Sequence, residues 1–391
     1  DKTKPTVVVS IASSSSTQAN IANTKQEGSD TKVMRPKGWK EKYNAATTDD
    51  NVTLTITANE FIFKPTVVFE VDGQQVKGNV TYRDTKEDES QANASKIWTA
   101  VYTAQKDDKD GVVMFTVTYT DAAGNNGDNA TNSTDATAVY NDNTKPAVTV
   151  SIDSSNSAKS TIANRTRSDG SALLRPKDWQ AKTNVAKPGD NVTLTITASE
   201  FIFRPTVVYK SGSKNITGSI TYLDTKKDNQ DDANKVWTAV YTPHVDDSDG
   251  NVSFTVNYKD KVGLAGATVT DVNDQTSVIA DKTAPKVTAI VVASSNSART
   301  TIASRKRSDK STAIRRPKDW DDKRNVATTG DNVTLTITAD EFIQVPVVVF
   351  KSGSQEIGNK ASIMYSDTKE NSTQANANKV WTCKYISHAN D

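Results

Sequence analysis

One passage is written nearly three times in this chain. It reads DDNVTLTITANEFIFKPTVVF at 49–69, GDNVTLTITASEFIFRPTVVY at 189–209 and GDNVTLTITADEFIQVPVVVF at 330–350. Pro5, Pro146 and Pro285 open the copies. Trp39, Trp179 and Trp320 recur in RPKxW, and Trp98, Trp237 and Trp381 recur in KxWT, so the chain's 6 tryptophans are two repeat positions used three times. A period of about 140 residues is the size of a domain rather than of a solenoid repeat, so each copy is expected to carry its own core. The expected boundaries are 1–141, 142–280 and 281–391.

Composition narrows the class. Lys+Arg 48 against Asp+Glu 47 leaves a net charge of +1. That balance argues against a nucleic-acid partner, which calls for a basic excess. No apolar run is long enough to span a bilayer in this segment. The single Cys383 excludes a disulfide within the chain. The abundant Ser, Thr, Asn and Asp suit an extracellular β protein.

The second copy shows the strand pattern best. Val192, Leu194 and Ile196 alternate with threonines, as do Val252, Phe254, Val256 and Tyr258 with Ser253, Thr255 and Asn257. Period two marks half-buried strands. Trp237, Ala239 and Tyr241 share one face. Further strands are expected at 148–152, 206–210, 219–223 and 276–280, separated by turn signals at 187–190, 211–213 and 247–250. Seven short strands without a helical period predict an all-β fold: tandem immunoglobulin-like sandwiches. Each copy has about 40 residues more than such a sandwich needs. The surplus is expected between the first two strands, at 153–190 in the second copy, and it contains RPKxW.

The junction Asp-x-Thr-x-Pro (Asp142–Pro146, Asp281–Pro285), the NVTLTIT strand followed by Glu, Pro-Thr-Val-Val, Trp-Thr-Ala-Val-Tyr and YTDAAGN at 119–125 together resemble bacterial-type Ig-like (Big-like) repeats of large surface proteins and adhesins. The resemblance implies a tandem sandwich array at the cell surface or outside the cell. The long insertion is a departure from it.

Four kinds of site are candidates. The first is the insertion, where Arg35 and Trp39, Arg175 and Trp179, and Arg316 and Trp320 could dock on a neighbouring repeat or subunit, or the tryptophans could pack on their own sandwich. Second, Asp142 and Asp281 at the seams could ligate calcium, which prefers oxygen donors, or could act as turn caps. No other cofactor is expected. Third, Asn-x-Ser/Thr sequons occur at Asn51, Asn191 and Asn332, which share one repeat position, and also at Asn79, Asn215 and Asn251 among others; in a secreted eukaryotic chain they would accept glycan. Fourth, Cys383 falls on the face of Trp381 and Tyr385, and a buried inert thiol is expected there. No catalytic residues are expected: neither His244 nor His388 recurs in all copies, and no Gly-x-Ser-x-Gly elbow or phosphate loop is present.

The third copy stops where the last two strands of the second copy would begin. It is expected either to continue in a longer chain or to be completed by a strand from another subunit. The expected function is a non-enzymatic stalk, hair or filament shaft whose partners are its own repeats or subunits. The alternative is an adhesin whose modules bind surface glycan.

Overall fold

The computed structural model describes residues 2–15, 42–84, 95–156, 182–216, 218–224, 234–296, 325–357, 363–367 and 378–391. Two compact units are present, Asp1–Ser155 with Ala186–Ala280, and Asn156–Val185 with Asp281–Asp391. The first two repeats thus belong largely to one unit.

In the first repeat the strands are β1 (Val7–Ser13), β2 (Tyr43–Ala46), β3 (Asn51–Ala58), β4 (Thr66–Val71), β5 (Gln74–Gln75), β6 (Thr81–Asp84), β7 (Ile97–Thr103), β8 (Gly111–Thr118) and β9 (Ala138–Asn141). One sheet runs β1-β3-β7-β6 and the other β2-β9-β8-β4-β5. All pairings are antiparallel except β2 with β9. This strand order is that of an immunoglobulin-like sandwich, with ABED facing A′GFC. The fold class read from the sequence therefore holds.

The second repeat follows the same plan with β10 (Val148–Ser154), β11 (Thr183–Ala186), β12 (Val192–Ala198), β13 (Thr206–Ser211), β14 (Lys214–Asn215), β15 (Thr221–Asp224), β16 (Val236–Tyr241), β17 (Gly250–Asn257) and β18 (Ser277–Ala280). One sheet runs β10-β12-β16-β15, and β18-β17-β13-β14 are consecutive in the other.

Period-two patterning explains the cores. Val52, Leu54 and Ile56 are fully buried while their intervening threonines are not, and Val192, Leu194 and Ile196 repeat this. Each of the two repeats closes its own core, one drawn from residues 9–139 and the other from 150–280. Trp237, Ala239 and Tyr241 point inward as expected.

Two expectations need correction. Among the described residues the first two repeats have nine strands each rather than seven, because β2 and the two-residue β5 (with β11 and β14) carry no alternating pattern long enough to read. The surplus segment is also shorter than 153–190: β10 extends to Ser154 and β11 begins at Thr183. In the first repeat the corresponding segment divides an A strand, β1, from an A′ strand, β2, instead of filling the whole gap before β3.

A device that no periodicity reveals recurs in all three repeats. Ser95, Asn234 and Asn378 have φ of 52°, 54° and 53°. Their backbone N–H groups donate to Asp84, Asp224 and Asp367 at 2.8, 3.0 and 2.9 Å. Their carbonyls accept from the indoles of Trp98, Trp237 and Trp381, each at 3.2 Å. A left-handed turn is thus held on one side by a carboxylate and on the other by the core tryptophan. A second recurring bond ties the two sheets: the hydroxyls of Tyr82, Tyr222 and Tyr365 accept from the N–H groups of Val67, Val207 and Val348 at 2.9, 3.0 and 3.2 Å.

The third repeat contains β19 (Val287–Ser294), β20 (Asn332–Ala339), β21 (Phe350–Ser352), β22 (Gln355–Ile357), β23 (Met364–Asp367) and β24 (Val380–Ile386). Its first sheet runs β19-β20-β24-β23, and among the described residues the second is the hairpin β21-β22. Ile290 and Val292 pair with Ile337 and Leu335, the register of Val150 and Ile152 in the second repeat. Val150 and Ile152 are 2 % exposed, whereas Ile290 and Val292 are 63 % and 60 % exposed. The face that counterparts of β17 and β18 would cover is open among the described residues. Cys383 is fully buried and free, and burial pushes its thiol up to about 11.

Candidate functional site

The seam between the first two repeats concentrates the buried chemistry of the described residues. The connecting segment 143–147 is short and tied at both ends. Asp142 N–H donates to Ala46 O at 2.9 Å. Asp110 accepts from Asn143 N–H at 2.7 Å and from the Thr144 hydroxyl at 2.5 Å. At the far end Ala147 N–H donates to Ser199 Oγ at 3.1 Å, and Ser199 N–H donates to Ala147 O at 2.8 Å. Pro146 fixes φ between these anchors and is buried.

Across this segment lies a buried charge cluster. Asp142 follows β9, Glu200 follows β12, and Asp260 and Lys261 lie in the turn after β17. Lys261 Nζ stands 2.5 Å from Asp142 Oδ2 and 2.9 Å from Glu200 Oε2. The lysine and Asp142 side chains are 8 % and 2 % exposed. The ammonium also sits 4.9 Å from the centre of the Tyr140 ring. Burial alone would lower the lysine pKa, but Asp142 and Glu200 outweigh it and hold the group above the ordinary lysine range. Burial pushes both of those carboxyls up, and Lys261 opposes it.

Asp260 has a different environment. Its Oδ1 accepts from the N–H groups of Val262 and Leu264 at 2.9 and 2.8 Å, while Oδ2 is buried without a hydrogen-bond partner. Burial pushes Asp260 up to about 7 against those two N–H groups, and repulsion from Asp142 and Glu200 adds to the shift.

An apolar contact adjoins the cluster. Phe201 is 2 % exposed and packs with Phe203 against Tyr43 and Tyr140 of the first repeat. Phe201 and Phe203 meet edge to face, 5.5 Å apart at 88°. The side chain of Glu200 thus joins the ion pair while its neighbour Phe201 fills a tyrosine-walled socket.

Asp142 is at the seam, within a group with Glu200 and Asp260 whose ligand atoms lie within 4.8 Å of one another. The Lys261 ammonium occupies one oxygen each of Asp142 and Glu200 and offsets one of their two charges, so a calcium ion would have to compete with it for those oxygens. Asp281 is half-buried and accepts from Thr283 N–H at 3.0 Å, in the manner of a turn cap. Asn51, Asn79, Asn191, Asn215 and Asn251 are exposed and Asn332 is half-buried. The Asn51 and Asn191 side-chain oxygens accept from Thr103 and Thr242 hydroxyls at 2.8 and 3.0 Å. Arg35, Trp39, Arg175, Trp179, Arg316 and Trp320 lie outside the described residues.

Lys261 and Phe201 went unread in the sequence. The available signal was a difference between copies: Lys261 stands where the first repeat has Ala122, and it follows an aspartate common to both (Asp121, Asp260).

No protein-family model matches the chain, and no curated protein matches it. Solved structures do. The crystal structure of Rst D1-D2 aligns at 11 % identity over 63 % of this chain and 97 % of that one, with a TM-score of 0.27. The mouse nectin-like molecule 4 ectodomain (Ig1-Ig3) aligns at 14 % identity over 62 % and 63 %, TM-score 0.25. A marsupial T cell receptor aligns at 10 % identity over 99 % and 94 %, TM-score 0.31. At scores this low the Ig-like assignment rests on strand order rather than on these superpositions: the chain is a tandem array of Ig-like sandwiches.

Proposed function

We propose that the chain is a structural, non-enzymatic array of Ig-like modules, serving outside the cell or at its surface as a stalk, hair or filament shaft. The observation that carries this reading is the seam between the first two repeats, where a short anchored connector, a buried ion pair and an aromatic socket act together. Flexibly linked binding modules have no use for such a joint, because free rotation is the default when inter-domain contacts are small and polar. Among the described residues, Asp142 and Glu200 of the buried carboxylate cluster are engaged by Lys261 at the junction of two repeats, which suits cohesion better than catalysis.

Electron microscopy of the native material tests this reading directly. Straight shafts with a regular repeat of module density are expected; globular particles, or beads at random angles, would overturn it. Binding of the protein to glycan arrays would favour the adhesin alternative. The exposed sequon positions make glycosylation in a secreting eukaryotic host an additional proposal, checked by intact mass before and after deglycosylation.

A further inference from the structure

The first repeat carries the same aromatic knob as the second, in the same geometry, but uncovered. Phe61 and Phe63 follow Glu60 as Phe201 and Phe203 follow Glu200. Their rings meet edge to face at 5.5 Å and 87°, against 5.5 Å and 88° in the second repeat. Phe201 is 2 % exposed because Tyr43 and Tyr140 enclose it, whereas Phe61 is 40 % and Phe63 52 % exposed among the described residues. The pair sits at the end of the sandwich where β1 starts and β3 finishes, since Val7 pairs with Ala58. Ser14, beyond the other end of β1, bonds Asn51 at the start of β3.

We propose that Phe61 and Phe63 form a docking surface for the tyrosine-bearing end of a further repeat of this type, one with tyrosines at the positions of Tyr43 and Tyr140. The proposal rests on the array reading above and names the contact by which the array extends past the first repeat. The occupant is fixed by the chain's own seam, which shows what an identical phenylalanine pair receives. The second repeat does not offer this socket, because Thr183 and Ile279 replace the two tyrosines. In the whole chain the first repeat's tyrosines are already occupied by Phe201.

The charge partner at this end differs. Ala122 replaces Lys261 and is exposed. Asn125 replaces Leu264, and its amide donates to Asp121 Oδ2 at 2.8 Å, filling a role left open on Asp260. An incoming residue of the Asp142 type would therefore meet Glu60 without an ammonium. The contact is aromatic first, and weaker than the seam between the first two repeats.

That difference supplies a gain-of-function test. The fragment 1–145 contains both complete sheets of the first repeat and a core drawn wholly from its own residues. With F61A and F63A it presents only its tyrosine end, and it is titrated into the 391-residue chain, with binding followed by sedimentation and by NMR up to millimolar concentration. One fragment is expected to bind per chain. F61A/F63A in the whole chain should abolish binding, and A122K in the whole chain should tighten it at least tenfold by meeting Asp142 of the fragment. No binding at millimolar concentration, or binding indifferent to both sets of substitutions, overturns the proposal. Neither result bears on whether the first seam is rigid, so the array reading is judged separately.

Discussion

Lys261 Nζ reaches across a repeat boundary to within 2.5 Å of Asp142 Oδ2, and a second carboxylate, Glu200, closes the other side at 2.9 Å. Both partners of the closer contact are removed from water. Buried ion pairs add little net stability over an apolar packing, yet deleting one partner is costly because the other charge is stranded. On the proposed reading the pair serves to specify one arrangement of two modules more than to strengthen either module.

Lys261→Met should uncouple the first two repeats. Two carboxylates then stay buried without a cation, at a cost of about 3–5 kcal/mol. The expected result is loss of protection at the seam amides of residues 142–147 in hydrogen exchange, with the strands of both cores still protected.

The joint should also respond to pH. Asp260 is pushed up to about 7 by burial, while an unfolded aspartate titrates near about 4. Between these values the folded state binds more protons than the unfolded state, so stability falls as pH rises through about 4 to 7. The seam is expected to be tighter at pH 5 than at pH 8 by on the order of 1–3 kcal/mol, and Asp260→Asn should flatten most of that dependence. Thermal melts across this range, wild type against variant, check it.

Asp224→Ala should destabilise the second repeat by about 1–3 kcal/mol, the cost of leaving a buried donor without its acceptor. The donor is the N–H of Asn234, held at φ 54° beneath Trp237. Tryptophan fluorescence during urea unfolding reads the change, and Asp84→Ala should act in the same direction in the first repeat.

Cys383 should resist alkylation in the folded chain at pH 8. It is fully buried, and its thiol is pushed up to about 11 by that burial. Labelling by iodoacetamide should require denaturant; stoichiometric labelling of the native chain would contradict the placement.

What was legible in the sequence follows from what leaves a periodic trace. The Val192-Leu194-Ile196 and Trp237-Ala239-Tyr241 faces were readable because a half-buried strand must alternate. β2 left no such trace: Tyr43–Ala46 is four residues long and makes its contacts through parallel pairing with β9. The seam was half legible. Asp142 drew notice as a junction acid, but its cation is Lys261, more than a hundred residues away in sequence, in a turn that reads as solvent-facing. Phe201 and Phe203 belong to the most repetitive stretch of the chain, so repetition concealed the fact that identical residues are covered in one copy and exposed in another.

A shaft requires the joint between the first two repeats to hold a single fixed arrangement. Spin labels at exposed Gln74 and Lys214, one per repeat, give the distance distribution across it by pulsed electron spectroscopy. The wild-type chain should give one narrow distance, broadened by K261M and further by K261M with F201A. A broad distribution in the wild type, or a width unchanged by both variants, would contradict the account.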